Sequence, residues 1–194
     1  MNSKEVALCS VFTAIAISLG DVRIPTITGL PLFYFWEIPI VIALLLFGFK
    51  IGFTITALTA CGQALIFPRA LGVIFPIWNF IAMLTGIVGV YLGYKLVKWR
   101  ASRNPQVNIA EIKPARYFLS LSIVFRLAFM PFVDFFMYKF LMPIFGPSFS
   151  DAYIMGLMPG LLVFDLILVL YTVPTSYAIA KIVNRNLNLG NQIC

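Results

Sequence analysis

Histidine is absent from all 194 residues of the chain. Its absence excludes Ser-His-Asp triads, Cys-His pairs, HExxH zinc sites and imidazole proton relays. Cysteine is scarce: Cys9, Cys61 and Cys194 stand far apart with no CxxC spacing, so neither a disulfide framework nor a thiolate metal site is expected. Two of the three lie in apolar segments, where cysteine serves as a small packing residue. Charged residues make up only 11% of the chain, with seven acidic residues against fourteen Lys and Arg. No GxxxxGK[ST] loop or dinucleotide fingerprint occurs, so any ATP hydrolysis belongs to another protein. The net charge of +7 is spread over connecting segments. That pattern fits the anionic inner leaflet of a membrane and not a nucleic acid. No cofactor is expected.

What the chain has in abundance is apolar sequence. Hydrophobic residues make up 61% of it, and the mean hydropathy is +0.99. A soluble domain of this length cannot hide so much apolar surface, whereas a bilayer solvates it and restricts the fold to helices that satisfy their own backbone. The expected fold is an all-α integral membrane protein, one domain over residues 1–194. Six transmembrane helices are read at about 4–20, 37–49, 52–67, 74–97, 116–140 and 153–183, with a polar loop at 99–114. Lys4 and Ala14-Ile15-Ala16 mimic a signal peptide, but the topology needs this segment as its first span. With the N-terminus inside, ten cationic residues fall on the inner side, and Arg23, Arg69 and Lys139 fall on the outer side. The positive-inside rule therefore places both termini in the cytoplasm and the chain in the cell membrane.

The segment from Gly20 to Trp36 contains Pro25, Gly29 and Pro31, so it is not a regular helix. It ends in Leu32-Phe33-Tyr34-Phe35-Trp36, too apolar for a simple solvated loop. Two readings fit: a loop covering an outward-facing cavity, or an interfacial aromatic belt.

Glu37, Arg126, Asp134 and Asp165 are the ionisable residues at or within spans. Each costs about 2.5–3.5 kcal/mol near a helix centre, so each is expected to face a cavity or a partner. Arg126 and Asp134 are two turns plus about 80° apart on one helix and share a broad face. Arg126 alternatively snorkels to the inner interface. Asp134 and Asp165 either bind a ligand, pair with Arg69 or Lys139, or sit at the headgroups. Gln63, Trp78 and Asn79 are the neutral candidates; an amide and an indole at a cavity mouth suit a planar, hydrogen-bonding ligand, or else cap a helix and anchor it. Ser10, Ala14 and Ser18 repeat at every fourth residue of the first span, as do Ala16 and Gly20. Such small-residue faces admit close helix approach.

Several short motifs, in order, resemble the substrate-binding S components of energy-coupling factor (ECF) vitamin transporters, the riboflavin-type branch nearest. They are the small-residue helix from Ala7 to Gly20, the Pro-containing apolar loop, and Trp36-Glu37-Ile38-Pro39. Leu46-Phe47-Gly48-Phe49-Lys50-Ile51-Gly52 and Trp78-Asn79-Phe80-Ile81-Ala82 follow, then the basic loop. Where riboflavin-type members often carry a lysine in the third helix, this chain has Gln63. The resemblance implies a non-enzymatic subunit that binds a vitamin or related micronutrient with high affinity under the first loop. It also implies docking of Ser10, Ala14 and Ser18 on a transmembrane coupling subunit joined to two cytoplasmic ATPases. Trp36, Glu37, Gln63, Trp78, Asn79, Asp134 and Asp165 are then the expected substrate-binding residues. The alternative is a membrane-embedded enzyme acting on a lipid through Asp134 and Asp165.

Overall fold

Glycine and proline punctuate the apolar runs and set where each helix stops. A computed structural model describes residues 2–20, 23–25, 31–66, 74–103 and 113–187. Arg69, Cys194, residues 104–112 of the basic loop and the side chain of Arg23 lie outside the described residues.

Helix α1 (Ser3–Leu19) opens with a capping box. The Asn2 side chain accepts from the Glu5 amide at 2.9 Å, and the Glu5 carboxylate accepts from the Asn2 amide at 3.2 Å. Two short strands follow, β1 (Arg23–Pro25) and β2 (Pro31–Tyr34), paired antiparallel with Arg23 opposite Tyr34 and an irregularity between Ile24 and Pro25. The described residues of the proline-interrupted segment thus form the two arms of a hairpin. Helix α2 (Glu37–Phe47) runs straight into α3 (Phe49–Ile66). The break falls at Gly48, not at the expected Lys50-Ile51, because only glycine adopts its φ of +90° without strain.

Helix α4 (Ile74–Arg103) continues past the expected Val97, so Trp99–Arg103 of the expected loop is helical. Helix α5 (Pro114–Phe136) passes into a π turn at Met137–Leu141 and a last turn, α6 (Met142–Phe145). Helix α7 (Asp151–Leu187) completes the bundle. Four rods are long and apolar enough to cross a membrane: α3, α4, the continuous α5–α6 rod and α7. Helices α1 and α2, at 17 and 11 residues, are shorter.

Polarity is arranged inside out. Phe129, Phe132, Phe136 and Phe140 form an exposed ridge on α5 and the π turn, while Glu37, Arg126, Asp134 and Asp165 are buried. That distribution suits a hydrocarbon solvent, in which charges must turn inward. Helix α2 is apolar all round because it is the core: residues Pro39 to Leu46 are buried among α1, α3, α4 and α7. Helices α4 and α5 approach closely through Gly89 and Gly93. A methyl group on Gly89 would come within 2.5 Å of the Ser122 backbone. The Ser122 hydroxyl donates to the Gly86 carbonyl at 3.2 Å across this seam, and the Ser176 hydroxyl likewise donates to the Ile38 carbonyl at 3.2 Å. Buried hydroxyls bonded across helices are the usual adhesive in lipid.

Candidate functional site

Beside Tyr34 of the hairpin, α2, α4, α5, the π turn and α7 line a cavity of about 290 Å³. Each wall follows from helical period. Helix α4 contributes Phe75, Trp78, Asn79 and Ala82; α7 contributes Leu161, Phe164, Asp165 and Leu168. Both sets have the i, i+3, i+4, i+7 spacing of one helix face. The α5 rod contributes Arg126, Met130, Asp134, Tyr138 and Met142, a strict every-fourth row. On a straight α-helix such a row drifts about 40° per step. The π turn, with its wider i→i+5 winding, slows that drift where Tyr138 and Met142 must still face inward. Tyr34 at the end of β2, with Trp36 and Glu37, supplies the remaining wall.

The polar centre is an ion cluster. Arg126 Nε donates to Asp165 Oδ1 at 2.8 Å. Its Nη1 donates to Glu37 Oε1 and Oε2 at 3.2 and 3.1 Å, and its Nη2 donates to Glu37 Oε1 at 3.2 Å. All three residues are only 3% exposed. A guanidinium presents its donors as a rigid planar fork, so one arginine can hold two carboxylates from two helices at once. Asp134 stands apart, accepting from Trp78 Nε1 at 2.8 Å through Oδ1. Asn79 Nδ2 donates to Gln63 Oε1 at 3.2 Å.

Six of the seven expected site residues therefore line the cavity: Trp36, Glu37, Trp78, Asn79, Asp134 and Asp165. Gln63 is buried behind Asn79 and touches the cavity only through it. Arg126 does not snorkel; it is the hub of the cluster. Lys139 pairs with Asp151 and not with either cavity aspartate. Asp134 and Asp165 have separate partners, Trp78 and Arg126, so they are not arranged as a proton-sharing carboxylate pair. Tyr34, Tyr138 and Phe164 are wall residues that sequence reading missed. For Tyr34 a signal was present, in the apolar run before Trp36; for Tyr138 there was none, because the π turn leaves no mark in composition.

The hairpin is tied to α7 by one phenol. Tyr171 Oη accepts from the Tyr34 amide at 2.7 Å and donates to the Tyr34 carbonyl at 3.0 Å. The Tyr34 ring meets Phe164 edge-on at 5.8 Å. On α1, Ser10, Ala14 and Ser18 all face outward. Both serine hydroxyls donate to their own helix, to Val6 and Ala14 carbonyls at 3.0 and 2.9 Å. That leaves a smooth strip with no free hydroxyl donor. Ala16 and Gly20, the second small pair, are buried, with Gly20 against Gln63. Among the described residues no group of His, Cys, Asp and Glu is arranged to hold a metal.

No family model matches the chain, and no curated protein does. Its fold is shared with a solved structure, the S component of a bacterial ECF transporter, at a TM-score of 0.72. The two are 18% identical over 96% of this chain and 99% of the other. The chain thus has the S-component fold, and its neighbour is a transporter component and not an enzyme.

Proposed function

We propose that this chain is the substrate-binding subunit of an ATP-driven ECF-type importer in the cell membrane, taking a vitamin or related micronutrient. One observation carries the reading: within the shared fold, a cavity with aromatic walls and a polar centre is bordered by Tyr34 of a hairpin pinned to α7. Ligand sites are of this kind, mostly apolar with a few placed polar groups, and about 300–1,000 Å³ in size. In this reading the chain is a single domain of six spans with both termini cytoplasmic, and the short α1 and α2 cross with the help of the four longer rods. Trp36, Glu37, Trp78, Asn79, Asp134 and Asp165 face the substrate, with Gln63 orienting Asn79. A planar, riboflavin-like ligand follows from the motif resemblance. The outward strip Ser10, Ala14, Ser18 docks on a transmembrane coupling subunit that is joined to two cytoplasmic ATPases.

The test is direct. The chain is purified in detergent and denatured, and any released small molecule is identified by absorbance and mass spectrometry. A stoichiometric micronutrient supports the reading. An empty protein that binds no member of a vitamin panel, measured by tryptophan fluorescence, overturns it. Ala14→Trp is expected to abolish co-purification with the coupling subunit while ligand affinity stays within about twofold; loss of both together would show that the strip serves folding instead.

A further inference from the structure

The charges that face the cavity do not balance. Among the described residues, Glu37, Asp134 and Asp165 supply three carboxylates, and Arg126 is the one cation on its walls. Arg126 is also engaged at all three nitrogens, with Nε donating to Asp165 and Nη1 and Nη2 donating to Glu37. An anionic ligand would have to compete with Glu37 and Asp165 for this one guanidinium and would meet surplus negative charge. Asp134 is 3% exposed, and among the described residues its side chain accepts one hydrogen bond, on Oδ1. Among the described residues no donor meets its Oδ2, and Asp134 lines the cavity. A lone carboxylate oxygen in a water-poor site calls for a donor, and a charged donor best of all.

The walls point the same way independently. Trp36, Trp78, Tyr34, Tyr138 and Phe164 surround the space, and Trp78 meets Tyr138 edge-on at 5.1 Å. Aromatic faces attract cations, most strongly when both are out of water, and boxes of several rings are the usual device for holding organic cations. We infer that the cavity is built for a small planar organic cation, with Asp134 as its counter-charge. This rests on the transport reading above and narrows its riboflavin-like ligand to a positively charged heteroaromatic.

The experiment compares ligands matched in shape and different in charge, by titration calorimetry on the detergent-purified chain. Proflavine, a tricyclic cation at neutral pH, is set against neutral lumiflavin, and anionic flavin mononucleotide against riboflavin. Proflavine is expected to bind at least about tenfold more tightly than lumiflavin, the scale of one buried charge-assisted hydrogen bond. Flavin mononucleotide is expected to bind at least about tenfold more weakly than riboflavin. Asp134→Asn keeps the side chain's size and an acceptor for Trp78, and is expected to collapse the proflavine preference to within about threefold. Should that variant fail to fold, the wild-type ratio decides alone. Equal or tighter binding of lumiflavin, or a preference that survives in Asp134→Asn, overturns the inference while leaving the transport reading intact. If no probe binds, the charge of the molecule released on denaturation decides: a cation supports the inference, and a neutral or anionic molecule overturns it. No binding and no released molecule overturns both readings together.

Discussion

Arg126 is the residue on which the cavity's wall depends. Removing it leaves Glu37 and Asp165 buried without a counter-charge, and breaking a buried pair from one side destabilises by about 3–5 kcal/mol. Arg126→Gln is therefore expected to lower the unfolding temperature in detergent markedly. The triple variant Arg126→Met, Glu37→Gln, Asp165→Asn, which removes every charge of the cluster, is expected to recover most of that loss. A triple variant no more stable than Arg126→Gln would show that the arginine acts through packing alone. Tyr171 makes a second, more local prediction. Tyr171→Phe removes both hydrogen bonds to Tyr34, about 0.5–1.5 kcal/mol each. Hydrogen exchange at the Tyr34 amide and ligand release are both expected to accelerate several-fold, with little change in global unfolding. An unchanged exchange rate would mean that Phe164 and the neighbouring rings hold the hairpin by themselves. At this scale the acidic and aromatic candidates were legible because a charge or an amide in an apolar run has few harmless places to be. Their partners were not. Glu37 lies 89 residues from Arg126, and no local pattern encodes which buried charge a guanidinium will meet.

At the scale of the element, the α4–α5 seam offers a paired comparison. Gly89 abuts the Ser122 backbone, so Gly89→Ala forces two helices apart and is expected to cost about 1–3 kcal/mol, as overpacking generally does. Gly86 lies one turn away on the same helix, but a methyl there meets nothing closer than 3.7 Å. Gly86→Ala is expected to be neutral or slightly stabilising through helix propensity. Thermal unfolding of the two variants side by side checks the seam; equal effects would refute it. The helices themselves were readable from apolar runs bounded by charge, proline and glycine. Their ends were less so: α4 extends to Arg103 because Trp99 to Arg103 carries no breaker, and Arg103 stacks over the Trp99 ring at 4.2 Å. The π turn was invisible, since nothing in the residue types of Met137–Leu141 marks a wider winding.

For the whole molecule the open quantity is orientation. Helix α4 ends in Trp99, Arg100 and Arg103, and Arg100 bonds the hydroxyl of Tyr117 at the start of α5. On the proposed topology this basic, aromatic rim is the cytoplasmic face. The opposite rim carries Lys139 paired with Asp151, beside Gly146. In a background freed of native cysteines, Gly146→Cys is expected to react with a membrane-impermeant maleimide in intact cells. Ser102→Cys is expected to react only after the cells are opened. The reverse pattern would invert the topology and put the hairpin on the inner side. Membrane residence was legible in composition alone, because no soluble packing hides so many apolar residues. The shape of the cavity was not, for it depends on five segments meeting with the correct rotation about their axes.

The burial of α2 has a consequence in time. Glu37 enters the membrane early in synthesis, and its counter-charge is 89 residues further along the chain. At about 5–20 residues per second, roughly 4–18 seconds pass before Arg126 is made. Throughout that interval the nascent protein holds an acidic group beside an apolar segment too short to span alone. The second helix is therefore expected to settle only once the fifth arrives, and the cavity to form among the last events of assembly.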